Sequence, residues 1–223
     1  MQLSSVIMAR FFPLFKTYEL NPNGQVFMPD VIAGLVRECK FVKFPQKPED
    51  FVGDNGISFE IGKFKGQNID KILIFDGGIL LDTRDSTDES EQTLTRLLEW
   101  ASAEFGLAYR PEMLKRRVFV ETLVISSDFP LLELHSVLRH ISTVVSQEME
   151  SGLGRPLVYE PKAIAVGFDK LSTSFTPSPF TLERLEGVPF SDNKYFSNAP
   201  LRTEVHLKLL QSIEDAVSSS HRT

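Results

Sequence analysis

Asp82, Asp85, Asp88 and Glu89 form the densest run of carboxylates in the chain. Oxygen ligands at that density suit a divalent cation, and Asp82 with Asp85, joined by Lys194 or Tyr195, would make a carboxylate-centred active site. The run lacks the glycine at the sixth place and the closing glutamate at the twelfth that a calcium loop needs. Asp76 is followed by Gly77 and Gly78, so the second aspartate that a phosphotransferring strand end places two residues on is missing. Helix capping accounts for the same residues without chemistry. Ser86 and Glu89 fit a capping box, and the neighbouring carboxylates suit the positive end of a helix dipole.

Other reactive residue types are sparse. The histidines are His135, His140, His206 and His221. A separation of five puts the first two on different faces of a helix, so they cannot readily share a zinc ion. Cys39 is the single cysteine; it excludes an internal disulfide and would need a histidine brought from far away to act as a nucleophile. The glycine clusters at 62–66 and 152–155 lack the Walker spacing, and no serine sits in a Gly-x-Ser-x-Gly elbow. The expectation is therefore no bound metal, no cofactor and no assignable catalytic residue. A surface candidate remains in Ser191, Asp192, Asn193, Lys194, Tyr195 and Phe196, which mix hydroxyl, carboxylate, amide, amine, phenol and phenyl in one stretch. Read as a loop over 191–198, these residues suit recognition, because loops held by a rigid scaffold often carry function. The competing reading is a turn that caps the last helix through Asn198, with Tyr195 and Phe196 tucked into the core.

The elements that would hold these groups are legible from periodicity. Apolar runs at 72–75 and 79–81 meet at Asp76–Gly77–Gly78, which predicts a tight antiparallel hairpin. Leu94, Leu97, Leu98, Ala101 and Phe105 recur at helical spacing, and Gly106 is placed to stop that helix. The β-branched, apolar stretch 118–125 predicts a central strand. A second long helix is expected over 130–152, capped by Asp128, with Leu134, Leu138, Ile141, Val145 and Met149 as its stripe. Leu131, Leu132, Val137 and Val144 widen that stripe beyond the roughly 100° needed for one core face. The last helix is expected from about Pro200, with Val205, Leu209, Ile213 and Val217 on its buried side.

Shorter elements complete the pattern. They are a short helix entered at Pro29 with Ile32, Leu35 and Val36 inward, and strands at 41–44, 57–61, 157–159, 163–168 and 180–185. Polar loops are expected at 47–50, 53–56 and 172–179, with fraying at 218–223. The whole reads as one α+β domain over 1–223, a mostly antiparallel or mixed sheet covered on one face by three long amphipathic helices.

Composition narrows the class. A chain of 223 residues with 42% apolar and 24% charged residues has the make-up of an ordinary globular protein. The formal charge of −6 argues against nucleic acid. No run approaches the roughly 18 apolar residues of a membrane span, and the amino terminus lacks the features of a signal peptide, so a cytoplasmic protein is expected. The 18 phenylalanines stand against 4 tyrosines and 1 tryptophan, which predicts extensive buried packing, including between subunits. The leading expectation is a non-catalytic protein that binds another protein, most simply a copy of itself. The alternatives are the small carboxylate-centred enzyme and a small-molecule sensor with an apolar pocket under the sheet.

Overall fold

The computed structural model describes residues 1–47, 50, 56–169, 171 and 176–220. Among the described residues the fold is α+β, with an eight-stranded antiparallel sheet and four helices rather than three. Its strands are β1 (Gln2–Pro13), β2 (Ile57–Phe64), β3 (Gln67–Phe75), β4 (Gly78–Thr83), β5 (Arg117–Ser126), β6 (Ala163–Val166), β7 (Phe180–Arg184) and β8 (Lys194–Ala199). They are ordered β2-β3-β4-β1-β5-β8-β7-β6. The helices are α1 (Met28–Cys39), α2 (Thr87–Phe105), α3 (Ser136–Leu153) and α4 (Thr203–Ser220). The chain divides into two compact units. One, the hairpin unit, comprises Val6–Glu121 with Leu201–Thr203; the other, the terminal unit, comprises Met1–Ser5, Thr122–Pro200 and Glu204–Thr223.

In the hairpin unit the expected turn is present. Phe75 pairs with Gly78 and Ile74 with Ile79, which leaves Asp76 and Gly77 as the connection. Gly78 has φ +155°, and a Cβ there would lie 2.3 Å from the Pro13 carbonyl oxygen, so the turn accepts glycine alone. The α2 helix begins where the capping box places it, with the Glu89 N–H donating to Ser86 Oγ at 3.1 Å. Leu94, Leu97, Leu98 and Ala101 are buried, and Gly106 in the left-handed region ends the helix. The α1 helix is entered at Pro29 and buries Val31, Gly34, Leu35 and Cys39, with Ile32 and Val36 half-buried. Residues 41–44 do not form the expected strand; a single bridge joins Lys43 to Glu60. Phe41 is instead buried, with its ring 5.4 Å from that of Phe59.

The terminal unit departs further from expectation. The second long helix starts at Ser136, capped by His135 Nδ1, which accepts from the Val137 N–H. Residues 127–135 turn instead, because Ser127 rather than Asp128 holds the chain: its Oγ accepts from the Phe129 N–H at 3.0 Å. The Leu131 N–H then donates to the Tyr195 hydroxyl, and Leu131 and Leu132 are fully buried in place of extending the helix. Residues 157–159 form no strand, since the Tyr159 N–H donates to Ser146 Oγ on α3. The α4 helix buries His206, Leu210 and Glu214, each one residue after the expected Val205, Leu209 and Ile213, and buries Val217 as expected. Polar partners explain the rotation. Ser197 holds His206, while the Met1 amino group and Ser127 hold Glu214. Val205 and Leu209 face outward. Residues 218–220 are helical, whereas 221–223 and parts of the loops expected at 47–50, 53–56 and 172–179 lie outside the described residues.

Candidate functional site

The acidic run is engaged by protein donors. Asp82, nearly buried on β4, takes two hydrogen bonds from Arg10 on β1, at 2.7 and 2.9 Å. Those bonds raise the Arg10 guanidinium above its usual range. Asp85 accepts from the Gln67 carboxamide at 3.2 Å. Asp88 is bonded by Arg202, which also reaches Glu91 at 2.6 Å and lies 4.1 Å over the Phe119 ring. Glu91 in turn takes Arg117 at 2.7 Å. The pairs of Arg202 and Arg117 with Asp88 and Glu91 are ion pairs of the α2 start, while Arg10–Asp82 joins β1 to β4. Among the described residues, no group of three or more His, Cys, Asp or Glu side chains is gathered as a metal site.

At the second candidate, half of the expected loop is strand. Ser191 and Asp192 lie in a 3-10 turn over Phe190–Asp192, Asn193 is left-handed at φ +47°, and Lys194, Tyr195 and Phe196 open β8. Tyr195 is fully buried, Lys194 is exposed and Phe196 is half-buried. Around Tyr195 a sealed polar cluster forms. Its hydroxyl accepts from the Leu131 N–H at 2.9 Å and donates to Asn193 Oδ1 at 3.2 Å. Burial pushes the phenol's pKa up.

Arg184 completes this cluster. It donates to Glu160 and to the Phe190 carbonyl, each at 2.6 Å, and to Asn193 at 3.3 Å. Its guanidinium lies 4.7 Å from the Phe190 ring centre and 5.3 Å from that of Tyr195. Arg184 is 3% exposed, so this centre ties three segments together and presents little to a ligand. One signal in the sequence marks it: Arg184 is in phase with Leu182 on β7, a charge on the buried face of a strand. Asp82 and Asp85 belong to the hairpin unit and residues 191–198 to the terminal unit.

A serine–histidine contact exists but is closed to substrate. Ser197 Oγ and His206 Nε2 are 2.9 Å apart and both residues are fully buried. Ser197 Oγ donates to the Thr181 carbonyl, which leaves the imidazole N–H as donor to the hydroxyl. That is the opposite of the arrangement a nucleophilic serine requires.

Part of the exposed apolar surface of the terminal unit lies on α3. None of its residues is buried. Leu138, Ser142, Val145 and Met149 are half-buried on one side of the helix. Beside them Val137, Ile141 and Val144 stand 54%, 51% and 42% exposed, at the three- and four-residue spacing of a single stripe. Ile141, expected in the helix's main stripe, thus joins Val137 and Val144 in an exposed one, while Leu131, Leu132 and Leu134 lie outside the helix. No helix among the described residues is long and apolar enough to cross a membrane. Compared with known proteins, the chain matches no family model and no curated relative, and its functional reading rests on its own geometry.

Proposed function

We propose that the protein is a non-catalytic interaction subunit whose partner is a second copy of itself, joined through α3. The observation that carries this reading is the exposed stripe of Val137, Ile141 and Val144 on a helix with no buried residue. Contiguous apolar groups left in water favour association, because their burial is worth about 25 cal/mol per Å². The stripe is self-complementary. An antiparallel copy centred on Ile141 sets Val137 against the other copy's Val145 and Val144 against its Leu138. A single helix pair falls at the low end of interface sizes, below about 1,200 Å² in total, so a reversible dimer is expected.

The test is light scattering over a concentration series. The wild type should shift from monomer to dimer, and Val137→Glu should remain monomeric, since a carboxylate in a dry interface costs several kcal/mol. Val137 is more than half exposed, so the variant is expected to fold as the parent does. A wild type that stays monomeric up to about 100 μM, where even weak dimers populate, overturns the reading.

A further inference from the structure

We propose that the hairpin unit holds a binding site for a hydrophobic amine. A cavity of about 610 Å³ lies among α1, α2 and the β3–β4 hairpin, inside the roughly 300–1,000 Å³ range of small-ligand sites. Its floor is aliphatic: Leu35 comes from α1, Leu94 and Leu98 from α2, Ile72 and Ile79 from the hairpin, all of them buried. Trp100 forms part of the wall. Its mouth is marked by the exposed lining residues Tyr18, Met28 and Asp76. Apolar walls hold ordered water poorly, so an apolar occupant fits them better.

The head group follows from the polar atoms at the rim. The Asn21 carboxamide is already used, bonding the Val26 backbone in both directions at 2.8 and 3.1 Å. The Thr17 hydroxyl donates to the Phe75 carbonyl at 3.1 Å. Asp76 is the one lining residue with a formal charge among those described, and among the described residues its carboxylate makes no hydrogen bond or ion pair. No lysine or arginine lines the cavity among the described residues. A carboxylate at the rim of an apolar cavity favours a protonated amine over a neutral or anionic head. Tyr18, at the same rim, adds an aromatic ring that a cation can stack on.

The chain's only tryptophan, Trp100, lies in the cavity wall, so binding has a built-in reporter. Three probes with one chain length separate cavity from charge: dodecylamine, dodecanol and dodecanoate, each titrated below its micelle concentration. The expected result is a saturable change in Trp100 emission, with the amine about tenfold tighter than the alcohol and the carboxylate weakest. Asp76→Asn should bring the amine down to the alcohol and leave the alcohol unchanged. Ala101→Phe, which fills the cavity from α2, should weaken all three by about tenfold or more, with Leu35→Phe as the second filling variant should the first fail to fold by circular dichroism. No saturable response to any probe overturns the site. Equal binding of the three heads, or an amine preference that survives Asp76→Asn, overturns the ligand class. Undiminished binding in a folded, cavity-filled variant places the ligand elsewhere and also overturns the proposal.

Discussion

Tyr195→Phe separates a structural from a recognition role for an aromatic residue of the 191–198 stretch. The substitution keeps the ring, and so keeps the stacking 5.3 Å from the Arg184 guanidinium. It removes the hydroxyl that accepts from the Leu131 N–H at 2.9 Å and donates to Asn193 at 3.2 Å. Asn193 Oδ1 retains Arg184 as a donor, but Leu131 is fully buried and its N–H is left without that acceptor. An unsatisfied buried donor costs about 1–3 kcal/mol, so a loss of about 2 kcal/mol is expected. With a urea slope of about 2 kcal/mol per molar, the unfolding midpoint falls by about 1 M. Urea melts followed by circular dichroism measure this directly. The control is Tyr159→Phe, at a ring 40% exposed, which should stay within about 0.5 kcal/mol of the parent. A Tyr195→Phe midpoint equal to that of the control would refute the account of this cluster as an internal tie.

Two further outcomes follow from local geometry. Ser86→Ala removes the oxygen that accepts from the Glu89 N–H and should cost about 1 kcal/mol in the same melts; an unchanged midpoint would show that the helix start does not depend on it. Cys39 is buried, and burial pushes its thiol from 9.0 up to about 12. The folded state therefore keeps the proton that the unfolded chain loses, so this contribution is fully present below about pH 9 and is lost as pH rises towards about 12. A thiol reagent at pH 8 should label Cys39 only in denaturant, and rapid labelling of the native protein would contradict its burial.

Local signals in the chain were legible wherever one short segment decides its own structure. Asp76–Gly77–Gly78, Ser86 as the cap of α2, and Gly106 each act through neighbouring backbone, and each does what its residue type implies. Legibility failed where distant polar partners decide. Residues 130–135 carry a helical apolar pattern, but the Tyr195 hydroxyl, 64 positions away, takes the Leu131 N–H and turns the chain. The face of α4 is set by Glu214 and His206 finding Ser127 and Ser197, and hydrophobic periodicity counts both as outward residues. The acidic run invited a chemical reading because Arg10 and Arg202, which neutralise Asp82 and Asp88, lie 72 and 114 positions away. At 191–198 the composition of a loop conceals an ordered strand, since Tyr195, Ser197 and Ala199 alternate inward among polar neighbours.

The starts of α2 and α4 complete one another. The Thr87 N–H donates to Thr203 Oγ1 and the Thr203 N–H to Thr87 Oγ1, each at 3.0 Å, while Thr203 Oγ1 donates to the buried Glu121. The two threonines are 116 residues apart. At about 5–20 residues per second, a ribosome needs roughly 6–23 s to travel from one to the other. For most of that interval the nascent hairpin unit carries β1 to β4 with α1 and α2, while the first turn of α2 still lacks its Thr203 oxygen. The unit is therefore expected to linger on the ribosome as a partly ordered species, open to chaperones, and to lock only once Thr203 has emerged.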